Sequence, residues 1–331
     1  MFFLRLKRFA GILAILTLVL QAQALQDKSK NVDRSGNKNQ KNQSFDGKPM
    51  LWRERTDISS LNLLLGPAGK DLKPDISKVT FIREETGGHS KKYRVRDGEG
   101  HEWVVKIGNE AQTETAANRL LWAAGYATDI TFLVPSVVID GKGTFQNVRF
   151  ESRDKNIKRL GEWQWDHNPF TGTMELQGLK VMMILIGNWD IKDSNNRILQ
   201  ARNEQTGDVE LRYIVSDLGA TFGKTGGVVS RSRNEPADYV KTKFIAGIKH
   251  NRVDFNYNGK RKEVFQDITV DQAKWLGSIL SRLSDEQIAD AFKAANYSPA
   301  EVQMLTASVR GRINELNALP GMQRAARESV R

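Results

Sequence analysis

The chain has 331 residues, 39% of them apolar and 27% charged, which allows a sizeable core in two lobes and excludes a disordered chain. Its formal charge of +11 suits an anionic partner, yet no aromatic-interleaved basic stripe or nucleic-acid motif is present, so nucleic acid is not expected as a partner. The absence of cysteine excludes disulfides, a thiol nucleophile and a lipidated cysteine.

Arg5, Lys7 and Arg8 precede an apolar run at 9–20 and then Ala22-Gln23-Ala24. Basic, apolar and small-residue regions in that order predict a secretory signal over 1–24, and hence an exported chain, periplasmic or secreted. The run is too short for a comfortable membrane span, so no stable span is expected after cleavage. Residues 25–50 are rich in Lys, Asn, Gln, Ser and Asp, and predict a disordered linker.

A helix-like pattern at 51–65 stops at Gly66-Pro67. Residues 78–107 read as three strands, with turns at Gly87-Gly88 and at 97–100. Alternation puts Lys106 on the face of Val104, opposite Val105 and Ile107, and an inward lysine needs an anionic partner. The Gly-Gly-His-Ser turn one hairpin earlier, with Gly87, Gly88 and Ser90, lets backbone N–H groups approach phosphate oxygens.

Residues 110–124 predict a helix closed by Gly125. Glu114 shares a stripe with Ala117, Asn118 and Leu121, within reach of Lys106, and Glu110 one turn earlier is the competing partner. A strand broken by Pro135 follows at 129–139, and 147–151 continues the sheet. Segment 155–173 reads as irregular packing around Trp163 and Trp165. His167 there has no partner at metal-ligand spacing.

An apolar helix at 175–186 stops at Gly187 and delivers Asp190, Lys192 and Asn195 on a short polar loop. A carboxylate to orient an attacking hydroxyl, a cation for a moving phosphate and an oxygen ligand for Mg²⁺ are what phosphoryl transfer needs. A hairpin at 196–215 ends in Asp217-Leu218-Gly219, which places Asp217 to hold a metal. Residues 220–239 are rich in Gly, Ser and Arg and read as a mobile loop. A hairpin at 241–259 and helices at 269–283, 284–295 and 298–319 complete the chain as scaffold.

An inward Lys106 followed by Glu114, then D-I-K-D-S-N at 190–195, then D-L-G at 217–219 resembles the protein-kinase-like superfamily over roughly 78–320. Asn188-Trp189 stands in place of His-Arg. Only eight positions separate Lys106 from Glu114, against about twenty in ordinary kinases. No G-x-G-x-x-G or A-P-E is present. With the signal, these features are similar to the atypical secreted kinases of the Golgi casein-kinase and bacterial spore-coat types.

The resemblance implies an α+β, two-lobed fold: a small β-rich N-lobe at 51–150, a larger helical C-lobe at 151–319 and a flexible tail at 320–331. It implies that Lys106 binds ATP phosphates, that Glu114 positions it, and that Gly87, Gly88 and Ser90 cover them. Asp190 is then the base, Lys192 steadies the γ-phosphate, and Asn195 and Asp217 hold Mg²⁺ or Mn²⁺. The acceptor is a hydroxyl of a protein or glycan. The alternatives are a nucleotide-binding pseudokinase or scaffold, and a kinase-fold AMP transferase.

Overall fold

A computed structural model describes residues 45–86, 90–227 and 229–321. The signal, most of the linker, the Gly87-Gly88 turn and most of the tail lie outside these described residues. The chain divides into Met1–Phe45 and Asp46–Arg331, and every element below belongs to the second unit.

Strand β1 (Lys48–Met50) falls within the expected linker. The expected helix at 51–65 does not form; the chain there makes a bridge at Trp52 and a short 3-10 turn, Ile58–Ser60. Leu51, Ile58, Leu61 and Leu63 are buried, but turn bonds such as that from the Leu61 N–H to the Ile58 carbonyl do not extend into a helical ladder, and the Ile58 and Leu61 carbonyls accept from the side chain of Gln287.

Strands β2 (Thr80–Glu85), β3 (Lys92–Arg96), β4 (Glu102–Lys106), β5 (Thr131–Ile139) and β6 (Gly143–Ser152) form a five-stranded antiparallel sheet in the order β2-β3-β4-β6-β5. Pro135 sits in β5, an edge strand, where its missing N–H costs no ladder bond. The period-two pattern segregates the faces: Tyr93, Val95, Trp103, Val105, Val148 and Phe150 build an apolar core. The opposite face carries Lys92, Arg94, Lys106, Arg149 and Glu151, with Lys106 directly between Lys92 and Arg149. Helix α1 (Glu110–Ala123) packs on β5 and β6.

The second half begins with β7 (Lys158–Gly161), inside the segment expected to be irregular. Trp163 and Trp165 are buried edge to face beyond it. Helix α2 (Met174–Leu185) follows, capped by Thr173, and then β8 (Asn196–Arg202) and β9 (Val209–Val215). These strands and β1 make a second sheet, β1-β9-β8-β7. A short helix α3 (Pro236–Lys241) begins inside the Arg-rich segment and runs past its end. The hairpin β10 (Ile245–Lys249) and β11 (Arg252–Phe255) precedes helices α4 (Val270–Leu280), α5 (Asp285–Lys293) and α6 (Pro299–Asn317). Thr269, Ser284 and Ser298 each close a capping box at the start of these three helices. Among the described residues no helix is long and apolar enough to cross a membrane.

Candidate active site

Strand β4 delivers Lys106 at its last position, 2% exposed. Its ammonium lies 2.6 Å from Glu110 Oε2, is hydrogen-bonded to Glu114 Oε1, and lies 3.6 Å from Asp217 Oδ1. The sequence leaves Glu110 and Glu114 as competing partners. The structure gives Lys106 both, because helix α1 starts four residues after the strand ends and stacks the two carboxylates one turn apart. The Ser90 hydroxyl donates to Glu110 Oε2 at 2.7 Å, which brings that end of the expected glycine turn to the same cluster.

Helix α2 ends at Gly187, whose φ of +68° a residue with a Cβ rarely adopts. The chain turns there into the polar loop. The Asp190 N–H donates to Asn188 Oδ1 at 3.0 Å, and Asn195 Nδ2 donates to the Asp190 carbonyl at 2.6 Å. The loop is therefore closed on itself by its own amides. The Asp190 carboxylate faces Lys192 at 3.3 Å and Lys260 at 2.6 Å. Trp189 is buried, donates through Nε1 to the Ser232 carbonyl at 2.8 Å, and lies under the guanidinium groups of Arg231 at 4.1 Å and Arg233 at 4.9 Å.

Strand β9 delivers Asp217. The Ser216 and Asp217 N–H groups both donate to the Asn195 carbonyl, at 2.9 and 3.3 Å, so the polar loop and the D-L-G stretch are adjacent by main-chain bonds. Burial alone would raise the Asp217 pKa. The Lys106 ammonium and the Gly219 N–H, which donates to Asp217 Oδ1 at 3.2 Å, outweigh it and bring the value down to about 2. Burial pushes Glu114 the other way, up to about 7, against the pull of Arg149 and Lys106. Gly219 touches helix α1: its carbonyl accepts from Thr113 Oγ1 at 3.1 Å, and a Cβ there would meet Glu110 Cβ at 2.8 Å.

The donor set fits a hard divalent cation. Asn195 uses its Nδ2 within the loop, which leaves its amide oxygen for a metal, and Asp217 is held ionised. The carboxylate oxygens of Glu110, Glu114 and Asp217, within 4.8 Å of one another, gather around the Lys106 ammonium, which engages Glu110 and Glu114 most closely. An amide oxygen and an ionised carboxylate are ligands that suit Mg²⁺ or Mn²⁺.

Three residues that sequence reading did not single out belong to this site. Arg149 on β6 pairs with Glu114, and Arg233 pairs with Glu110. Lys260 pairs with Asp190. Arg149 had a readable signal, since Arg149, Glu151 and Arg153 alternate with the apolar Val148 and Phe150. Arg233 and Lys260 come from distant loops and had none. Where β6 passes toward β7, a cavity of about 340 Å³ opens, lined among others by Arg94, Glu102, Ile130, Ser152, Arg153 and Leu199.

The chain therefore joins a five-stranded antiparallel sheet, whose strand lysine is paired to a helix glutamate, to a polar loop, D-L-G and the helices that follow, an α+β arrangement. The chain is similar in structure to the proinflammatory kinase CtkA of Helicobacter pylori, at 13% identity over 74% of this chain and 97% of that one, with a TM-score of 0.44. It is also similar to the Golgi casein kinase with Mn/ADP bound, at 12% identity over 80% and 77%, TM-score 0.33. A third neighbour is the Rio2 kinase of Chaetomium thermophilum in its ADP/Mg²⁺-phosphoaspartate complex, at 11% identity over 72% of each chain, TM-score 0.33. No protein-family model and no curated protein matches the chain.

Proposed function

We propose that this chain is an exported atypical kinase that transfers the γ-phosphate of ATP to a hydroxyl of a protein Ser or Thr, or of a glycan. The observation that carries this reading is the convergence of Lys106, Glu114, Asp190, Asn195 and Asp217 through direct contacts and main-chain bonds. A scaffold without turnover has no need of an ionised metal ligand beside a paired lysine and a second carboxylate between two ammonium groups.

In this reading the base of the nucleotide enters the cavity beside β6, and Lys106 binds its phosphates while Glu110 and Glu114 hold the ammonium extended. Ser90, bonded to Glu110, belongs to the same cluster, and Gly87 and Gly88, outside the described residues, are proposed from the sequence alone to cover the phosphates. Asn195 and Asp217 would hold a divalent cation, whose charge would offset that of the nucleotide phosphates. Asp190 accepts the proton of the acceptor hydroxyl, and Lys192 steadies the γ-phosphate. Phosphoryl transfer needs positioning and charge more than covalent help, and the charged face of the first sheet supplies both.

The test is calorimetric and thermal. Mg-ATP is expected to stabilise the purified chain, and Asp217→Ala to remove that gain. With labelled ATP, Asp190→Ala is expected to lower turnover by about 100-fold or more, the ordinary worth of a positioned base. No stabilisation by nucleotide with either Mg²⁺ or Mn²⁺ would overturn the reading. Mass analysis of any self-modified product distinguishes phosphate from AMP.

A further inference from the structure

Asp190 faces a second ammonium group that its own loop does not supply. Lys260 Nζ lies 2.6 Å from Oδ1, while Lys192 Nζ lies 3.3 Å from Oδ2. The placement of Lys260 is built into the fold. Its N–H donates to the Trp189 carbonyl at 2.8 Å, and the buried Tyr257 hydroxyl donates to the Asn188 carbonyl at 2.9 Å. Gly259 lets the two segments touch: a Cβ there would stand 2.2 Å from the Tyr257 hydroxyl and 2.7 Å from Trp189 Cα. The next residue, Arg261, is tied to Asp193 at 2.8 Å and to Asp166 at 2.9 Å. Residues 257–261 are thus clamped along the polar loop on both sides of Asp190.

One carboxylate needs one cation, and Asp190 has two. Asp193, the nearest other acid of the loop, is already paired with Arg261. The surplus positive charge is of the right sign and place for an oxygen of a phosphoryl group passing in front of Asp190. The two ammonium groups also feel one another: burial and Lys192 lower the Lys260 pKa, against the pull of Asp190.

We propose that Lys260 is a further catalytic residue, one that brackets the transferred phosphoryl group together with Lys192; this rests on the kinase reading above. As the acceptor oxygen bonds to the γ-phosphorus, the bond from that phosphorus to the β–γ bridging oxygen breaks. The bridging oxygen leaves on ADP with the electron pair, and the acceptor proton passes to Asp190. Lys260 remains protonated throughout: it moves from the Asp190 carboxylate, whose charge that proton cancels, to a non-bridging oxygen of the phosphoryl group.

The test compares full-length wild type with Lys260→Met and Lys260→Arg. Three quantities are read: affinity for Mg-ADP by calorimetry, the added thermal stabilisation when fluoroaluminate joins Mg-ADP, and ATP turnover. Lys260→Met is expected to bind Mg-ADP as wild type does, to lose the fluoroaluminate increment, and to lose about 100-fold in turnover. Lys260→Arg is expected to recover part of both losses. An intact increment and unchanged turnover in Lys260→Met would overturn this inference and leave the kinase reading standing. So would a joint loss of folding and Mg-ADP binding without rescue by arginine, since that marks a structural lysine. Wild type that neither binds Mg-ADP nor turns over ATP would remove the kinase reading and this role with it.

Discussion

Arg149 holds the Glu114 carboxylate oxygen that Lys106 leaves free. Glu114 is 1% exposed, so each of its oxygens depends on a cation to replace the water it has lost. The orientation of Lys106 is therefore set from two strands, β4 and β6, through one helix side chain.

Arg149→Met is expected to destabilise the fold by about 3 kcal/mol, because it strips one partner from a buried carboxylate. Urea denaturation measures the loss. Nucleotide affinity should fall in the same variant, since Lys106 then leans on a carboxylate that is no longer fixed. An unchanged midpoint would show that Glu114 needs Lys106 alone.

Trp189→Phe keeps the buried ring and removes the N–H that holds the Ser232 carbonyl. A cost of about 1 kcal/mol follows from one lost hydrogen bond. Trypsin should then cut after Arg231 and Arg233 faster than in wild type, because those side chains rest on the same ring. Equal cutting rates would mean that Trp189 does not restrain the segment.

Gly219→Ala forces a Cβ against Glu110 Cβ at 2.8 Å and Cγ at 2.9 Å. The start of α1 must shift, at roughly 1–3 kcal/mol for overpacking. Glu110 should then be displaced from Lys106. Thermal melts report the first effect, and the altered nucleotide affinity of the variant reports the second.

Glu151 is buried among Arg149, Arg153 and Arg159. Burial alone would raise its pKa, but the three guanidinium groups outweigh it and hold the carboxyl far below its ordinary 4.5. A carboxyl depressed in the folded chain adds stability above its unfolded value and loses it as pH falls through the folded one. Asp129 runs the other way, raised by burial and by Glu151, so it takes the first acid proton of the pair. Melts taken downward from about pH 6 should show stability declining below about 4.5, and Glu151→Gln should lower the plateau and flatten that decline.

Local periodicity made much of the fold and part of the site legible. Alternation along 102–106 put Lys106 inward, and helical spacing put Glu110 and Glu114 beside it, although spacing could not say that both would pair. The five-position step from Asp190 to Asn195 is a loop closed by its own amides, so it too was readable. The segment at 51–65 misled because its apolar residues are buried against separate partners, with Gln287 donating to carbonyls that a helix would have used. Lys260 and Arg233 were invisible for a related reason. Their contacts are made across long stretches of chain, and a lysine or arginine in a loop carries no periodic mark of what it will meet.

Strand β1 and the residues after it have a mechanical consequence. β1 pairs in parallel with β9, Lys48 opposite Glu210. Four residues later Trp52 donates to the Ala124 carbonyl at the end of α1, and farther on Gln287 of α5 grips the Ile58 and Leu61 carbonyls. This strap adds to the bonds that already join α1 to the later part of the chain, from Thr113 to Gly219 and from Gln112 to Ala295. Helix α1, which presents Glu110 and Glu114 to Lys106, is therefore anchored at its far end by residues that touch none of the site's side chains, and the steadiness of the ammonium depends on a stretch of chain with no chemistry of its own.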